Sequence, residues 1–288
     1  MAERGVRTAL VTGAAGGMGA ACARRLGRDH PLFLTDIDAA GLAALCSDLE
    51  TEGISVAGKL VLDLTEDGAA RELLATVAEH APPGPVVHTA GLSPSMGSCA
   101  ALMRLNARGT HALLDALEQH LDSGMAAVVI ASMAGHTARS DSDIDALCGT
   151  PTNDNFIADV EALLVERSGG DNARKASDAA YLYSKRANLL DVQRRSALWS
   201  ASGARINSIS PGLVDTNMGR REVAGDDGAA QMLSMQPLGW VSVGDIAETV
   251  AFLVSPASKA ITGTDLKVDG GLCAALFGGR TTTGACAA

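Results

Sequence analysis

Aromatic side chains are scarce in this chain, with four Phe, two Trp and two Tyr among 288 residues. Apolar residues nevertheless make up 47%, so a core has to be assembled from Ala, Val, Leu and Ile, and a disordered chain is excluded. Runs of Lys or Arg are absent and the net charge is −10, which argues against nucleic acid or an anionic membrane as a partner. The six cysteines form no C-x-x-C pair and no staple-like spacing, so neither a metal cage nor a disulfide framework is expected. No long apolar segment with a cleavage site precedes residue 8, which removes a secretory signal and makes the cytoplasm the expected compartment. Pro, Gly, Ser and His break up the uncharged stretch 81–103, so it is not read as a membrane span. Internal repeats and low-complexity tracts are also missing.

Short apolar runs do alternate with longer helical patterns. Segments 8–12, 32–35, 59–62, 85–89, 126–131, 205–209 and 266–268 read as strands, mostly without polar alternation, as expected where both faces are covered. Helical spacing fills 17–28, 39–52, 66–80, 101–121, 177–201 and 243–254. The length suits one domain over 1–288, and the rhythm predicts a doubly wound α/β fold with a single parallel, Rossmann-type sheet. About fifty residues separate the strand ending at 131 from the helix around Tyr181, too many for a structureless loop in a compact domain. Apolar spacing at Ile157, Val160, Leu163 and Leu164 predicts a helical insertion within 137–178, and 272–288 reads as a small apolar tail able to pack on a neighbour or on the pocket mouth.

Thr12-Gly13-Ala14-Ala15-Gly16-Gly17-Met18-Gly19 lies between the first strand and the first helix. A pyrophosphate needs close backbone and free N–H groups at a positive helix end, which is what glycines at such a turn provide. Asp36, seventeen residues beyond Gly19, ends the second strand where a carboxylate can bind ribose hydroxyls. Its charge repels a 2′-phosphate, and no Lys or Arg directly follows to offset it, so the expected cofactor is NAD rather than NADP. Asp38 better suits the cap of the next helix.

Tyr181 and Lys185 stand four apart on one helical face. A free phenol titrates near pKa ~10, and a nearby ammonium favours its phenolate. Tyr183 lacks such a partner and reads as packing or surface. Ser132 follows the strand 126–131, at the carboxyl edge where α/β sheets bind ligands. Asn106 has poor helix propensity and is a candidate for a polar task. A lone Ser or Asn would ordinarily satisfy local backbone; here their coexistence with Tyr181 and Lys185 carries the reading.

Taken together, Gly13-x3-Gly17-x-Gly19, Ala90-Gly91, Asn106, Ser132, Tyr181-x3-Lys185, the segment from Asn207 through Pro211-Gly212 to Thr216, and Val268-Asp269-Gly270-Gly271 resemble a classical short-chain dehydrogenase/reductase over nearly the whole chain. The resemblance implies Asn106, Ser132, Tyr181 and Lys185 as catalytic residues: Tyr181 as acid/base, Ser132 polarising the substrate oxygen, Lys185 lowering the tyrosine pKa and binding the nicotinamide ribose, Asn106 holding a relay water. It implies cofactor contacts at Gly13, Gly17, Met18, Gly19, Asp36, Asp63, Leu64, Ala90, Gly91, Tyr181, Lys185, Pro211, Gly212, Val214 and Thr216, and no metal. The family's Asn-Asn-Ala-Gly appears here as His88-Thr89-Ala90-Gly91, so bracing hydrogen bonds must be made differently there, with His88 read as a buried, satisfied histidine. Ser132 and Tyr181 are 49 positions apart, longer than is usual in the family; the added length resembles the insertion of 3α-hydroxysteroid dehydrogenase/carbonyl reductase relatives.

The implied activity is NAD-dependent interconversion of an alcohol and its ketone. Met96, Met133, Met218, Met232 and Met235 lie in segments expected around the nicotinamide, which suits a small apolar secondary alcohol or ketone of cyclic or steroid-like outline. Competing readings are an NAD-binding sensor or scaffold without turnover, and an epimerase or dehydratase that recycles its cofactor; Gly13, Gly16 and Gly19 also fit the glycine spacing of the latter's branch. A homo-oligomer is expected, with a dimer preferred to a tetramer.

Overall fold

The computed structural model describes residues 7–80, 82–169 and 173–278. In chain order its elements begin β1 (Thr8–Thr12), α1 (Gly17–Leu26), β2 (Leu32–Asp36), α2 (Ala39–Thr51), β3 (Val56–Val61), α3 (Ala69–Ala78) and β4 (Pro83–His88). A continuous helical stretch follows: α4 (Cys99–Leu102), a π-helical segment (Met103–Gly109) and α5 (Thr110–Glu118). Next come β5 (Ala126–Ile130), α6 (Met133–Thr137), α7 (Ser142–Gly149), α8 (Phe156–Arg167), α9 (Ala173–Ala201) and β6 (Arg205–Pro211). The chain closes with α10 (Asn217–Gly225), α11 (Asp227–Met235), α12 (Val243–Val254), a 3-10 turn (Pro256–Ser258), β7 (Asp265–Val268) and α13 (Leu272–Phe277).

The strands form one parallel sheet in the order β3-β2-β1-β4-β5-β6-β7. Its doubly wound character is visible residue by residue. Ala9 and Val11, Leu32 and Leu34, and Val128 and Ile130 pack with α1, α2 and α12, while Leu10, Phe33, Ala127 and Val129 face α3, α5 and α9. This explains the unbroken apolar runs, since side chains alternate faces and both faces are buried. Each fully buried Leu or Phe contributes about 1.5–3 kcal/mol relative to exposure. Strand order reverses between β1 and β4, and the crevice at a reversal, beyond the carboxyl ends of the strands, is where such sheets bind ligands.

The helical insertion is present and larger than the apolar spacing alone suggested. α8 matches the expected helix, and α7 precedes it. The polar stretch around residue 141 is polar because it caps: the Asp141 carboxylate accepts from the N–H groups of Asp143 and Ile144. Ile144, Cys148, Phe156, Val160 and Leu164 form a core of their own against Ala176, Ala180 and Ala187 of α9. Arg186 of α9 grips Asp145 with two 2.8 Å hydrogen bonds. Tyr183 packs at the edge of this cluster. From the tail, α13 buries Leu272 and Cys273 against Met133 and Ala134, beside Tyr181; residues 279–288 lie outside the described part. Cys22, Cys46, Cys99, Cys148 and Cys273 are buried and unpaired. Among the described residues, no helix is long and apolar enough to cross a membrane.

Candidate active site

The turn between β1 and α1 is built by close backbone approach. Gly13 has φ +65°, and a Cβ there would lie 2.5 Å from the amide nitrogen of Ala90. A Cβ at Gly19 would lie 2.1 Å from the Gly13 carbonyl oxygen. Both positions therefore exclude a side chain. α1 opens without a side-chain cap and without an acidic residue in its first turn, so its leading N–H groups at Gly17, Met18 and Gly19 retain the positive character that attracts phosphate. Gly17 faces Thr216 across the crevice, a Cβ there falling 3.1 Å from the threonine methyl.

Asp36 ends β2 with its carboxylate held in place: Oδ2 accepts from the Ala15 N–H at 2.9 Å and Oδ1 from the Asp38 N–H at 2.9 Å. Asp38 caps α2 through the N–H groups of Ala40 and Gly41, as expected. Ile37 beside Asp36 is exposed. Asp63 is turned onto Thr65, accepting from its N–H and its hydroxyl, and Leu64 is buried under the π-helical segment at Gly109.

His88 and Thr89 do the bracing at the end of β4. The His88 ring joins Thr12 at 2.7 Å through Nδ1 and Thr110 at 2.9 Å through Nε2. Burial pushes the imidazole down to about 3, aided by the charge of Lys185, so the ring is neutral. The Thr89 hydroxyl donates to the carbonyls of Thr12 and Gly13. These bonds take over the bracing of the glycine turn.

Asn106 sits in the π-helical segment, fully buried, where the wider helical turn admits a side chain that clamps the preceding loop. Its Oδ1 accepts from the Leu92 N–H at 2.8 Å, and Nδ2 donates to the Leu92 carbonyl at 2.9 Å and to Ser184 Oγ at 3.3 Å. A Cβ on Gly91 would lie 3.3 Å from that Oδ1 and 3.4 Å from Lys185 Nζ, so the amide oxygen and the ammonium flank the same backbone point.

Ser132 caps α6 at the end of β5, Oγ accepting from the Ala134 N–H at 3.1 Å, and Tyr181 packs against Met133 and Ala134 beside it. One turn further along α9, Lys185 Nζ donates to the Ile130 carbonyl at 3.0 Å. Burial pushes the ammonium down to about 8. The phenol does not follow the expected lowering. Burial pushes Tyr181 up to about 12, the neighbouring Ser132 hydroxyl pulls it the other way, and the charge of Glu222 adds to the rise. Desolvation outweighs the help expected from Lys185 because the phenol lies deep in the crevice and the ammonium is turned onto a backbone carbonyl.

Pro211 ends β6, and Gly212 donates to the Val268 carbonyl at 3.1 Å. Val214 bridges to Val241, and Thr216 caps α10 through the Gly219 N–H. Two further residues of this wall carried no recognisable signal as isolated letters. Gln236 is buried and clamps Leu213, accepting from its N–H at 2.9 Å and donating to its carbonyl at 3.2 Å. Glu222 of α10, a helix tied to the start of α9 by the Asp226–Arg174 ion pair, has a buried oxygen without a hydrogen-bond partner, and its charge reaches Tyr181.

Apart from Asp63 and Leu64, which follow β3, the residues expected in the site lie on or beside the carboxyl ends of β1, β2, β4, β5 and β6. Asp63 and Leu64 stand at its outer margin.

The short chain dehydrogenase family model matches residues 7–142, and one described as Enoyl-(Acyl carrier protein) reductase matches 163–273. The short-chain dehydrogenase/reductase bsc3 of Alternaria brassicicola is 32% identical over 286 residues, covering 94% of this chain and 97% of that protein. The 3-alpha-hydroxysteroid dehydrogenase/carbonyl reductase of Comamonas testosteroni is 28% identical over 251 residues, covering 81% and 93%. Among solved structures, the 3-alpha-hydroxysteroid dehydrogenase of a Pseudomonas species complexed with NADH superposes with a TM-score of 0.70 at 26% identity, covering 94% of this chain and 99% of that one. A short chain dehydrogenase from Burkholderia cenocepacia in complex with NADP shares the fold, with a TM-score of 0.72 at 24% identity, covering 92% and 97%. With its glycine turn, its Ser–Tyr–Lys cluster and this likeness along nearly its full length, the chain belongs to the short-chain dehydrogenase/reductase family of oxidoreductases, which act on CH–OH groups with a nicotinamide cofactor.

Proposed function

We propose that the protein is an NAD-dependent dehydrogenase that interconverts a largely apolar secondary alcohol and its ketone. The observation that carries this reading is the placing of Ser132 at the carboxyl end of β5 beside Tyr181, which packs on Met133 and Ala134, with Lys185 one turn along the same helix reaching the Ile130 carbonyl. The residues fit a dinucleotide: a turn that a Cβ would fill at Gly13, an uncapped α1, and an Asp36 carboxylate fixed by two backbone N–H groups.

Asp36 favours NAD, because a 2′-phosphate brought against this fixed carboxylate meets like charge. Met18, Ala90, Gly91, Pro211, Gly212, Val214 and Thr216 line the path from α1 to the end of β6. Once bound, the nicotinamide ring supplies the hydride acceptor in oxidation and the hydride donor in reduction.

Tyr181 is the proton-handling group. Its raised pKa keeps the phenol protonated, the form that donates to a ketone oxygen during reduction, while in oxidation the phenolate removes the alcohol's hydroxyl proton. Ser132 donates to the substrate oxygen and fixes its direction. Lys185, beside Gly91, holds the ribose and supplies the positive charge that favours the phenolate. Asn106 has three of its four hydrogen-bonding places filled, and the remaining lone pair of Oδ1 flanks Gly91 together with Lys185 Nζ, within reach of one bridging water. That water would carry the proton outward.

The substrate side supports an apolar skeleton. Met133 is buried beside Tyr181, Met235 packs on it, and Met96, Met218 and Met232 are exposed on the surrounding segments. For assembly we favour a homodimer, because α7 and α8 cover the amino-terminal half of α9; a tetramer mass in solution would contradict this. The deciding experiment follows NADH absorbance with NAD and with NADP over secondary alcohols of graded polarity. Turnover with NAD and cyclic alcohols is expected, and reaction confined to sugars or charged acids would overturn the substrate reading. Net NADH release also separates a dehydrogenase from a cofactor-recycling epimerase.

A further inference from the structure

Burying a carboxylate oxygen away from any donor costs more than burying any other side-chain oxygen. Three buried side-chain atoms have no hydrogen-bond partner among the described residues: Thr8 Oγ1, Thr35 Oγ1 and Glu222 Oε1. The two threonine hydroxyls lie within β1 and β2. Glu222 is different in kind, being a carboxylate, and in place, because the Asp226–Arg174 ion pair ties the end of its helix to the start of α9 and its charge reaches the Tyr181 phenol. It projects from α10, and its charge acts on Tyr181 and is moderated by Ser93, just beyond Gly91. Its resolved charged neighbour is a second carboxylate, Asp226, which is paired with Arg174. Burial and that like charge push the Glu222 carboxyl above its ordinary range.

A carboxylate in this position repels the phenolate that alcohol oxidation requires, and α10 could have carried a leucine or methionine there at no such cost. No described residue supplies the donor that would complete Glu222. We propose that Glu222 is a specificity-determining residue whose free oxygen receives a second hydrogen-bond donor of the substrate, a hydroxyl or an ammonium, on an otherwise apolar skeleton. This rests on the dehydrogenase reading above and narrows it to diols and amino alcohols. Recognition and proton transfer are then coupled: a donor seated on Glu222 relieves its repulsion of the phenolate.

The test compares cyclohexanol, the cyclohexanediols and the aminocyclohexanols as substrates with NAD, in the wild type and in Glu222→Leu and Glu222→Gln. The wild type should prefer a diol or an amino alcohol to cyclohexanol, and the two series show which donor is taken. In Glu222→Leu the ratio of kcat/KM for that substrate to kcat/KM for cyclohexanol should fall by roughly 10- to 100-fold, the worth of one hydrogen bond to a charged group. Glu222→Gln should recover part of the diol ratio and little of the amino alcohol ratio. In both variants the apparent pKa of oxidation assigned to Tyr181 should shift down, because a negative charge facing the phenol has gone. Equal losses on all substrates, or an unchanged ratio with an unmoved pH profile, would overturn the inference. Absence of turnover with every alcohol overturns the dehydrogenase reading instead. Glu222 is then judged by saturation-transfer NMR of the diols and amino alcohols with the NADH complex, where binding must weaken in Glu222→Leu relative to cyclohexanol.

Discussion

The two sides of the crevice are built by different means. On the dinucleotide side, α1 buries Gly19, Cys22, Ala23 and Leu26 and lies against α12, with its turn packed backbone to backbone on Ala90. On the substrate side, α10 buries only Gly219 and α11 buries no residue. The first side admits almost no change in position, since side chains there would collide with main chain. The second is held by caps at Thr216 and Asp226, the Gln236 clamp and few apolar contacts, so its local opening costs little free energy. A shared cofactor demands a fixed backbone cradle, whereas a particular substrate can be met by changing side chains on helices that carry little of the core.

That contrast orders the expected effects of substitution. The largest belongs to the chemistry between the two sides: Tyr181→Phe should lower kcat/KM by about 10²–10⁴-fold while NADH binding, read by fluorescence, persists. Substantial residual turnover would remove the phenol from its assigned role. Next comes the rigid side. Gly13→Val should destabilise the fold by about 3 kcal/mol and abolish cofactor binding, since it combines a strained φ with a clash against Ala90. Thermal melts with and without NADH give both quantities, and a well-folded, NADH-binding variant would break the comparison.

Asp36→Ala should reduce the preference for NAD over NADP on the order of 100-fold, by removing like charge from the 2′-phosphate position. An unchanged ratio of kcat/KM for the two cofactors would show that discrimination lies elsewhere.

His88→Leu should cost about 2 kcal/mol, because it leaves the buried hydroxyls of Thr12 and Thr110 without their partner. The native histidine also sets an acid limit. Its folded pKa of about 3 lies below the ordinary imidazole value of 6.5, so its contribution is fully present above 6.5 and is lost as the pH falls towards 3. Urea midpoints should therefore drop less steeply across that window in the leucine variant. The smallest effect belongs to the loose side: Met232→Ala on α11 should change stability by less than about 0.5 kcal/mol, while altering KM for apolar alcohols.

Much of the rigid side could be read from residue order alone. Gly13, Gly19 and Asp36 are recognisable because their tasks depend on spacing along a strand, a turn and a helix, all local quantities. The alternation of faces in β1, β2 and β5 shows why seven apolar runs sufficed to predict the sheet. α7 was less legible, since its first residues are polar caps and its apolar partners lie on α8 and α9. The raised pKa of Tyr181 was not legible either: a partner four residues away is a local fact, whereas removal of the phenol from water depends on every element that covers it.

The linear order of residues determined the βαβ rhythm, the glycine turn and the Tyr181–Lys185 pairing on one helical face, because each follows from short-range geometry. Only the folded arrangement decided that His88 would be a neutral strut between Thr12 and Thr110, that Asn106 would clamp Leu92 from a π-helical turn, and that the charge of Glu222 would reach Tyr181. Those are encounters between segments tens of residues apart, and their energies come from burial and partner choice, which no stretch of sequence carries by itself.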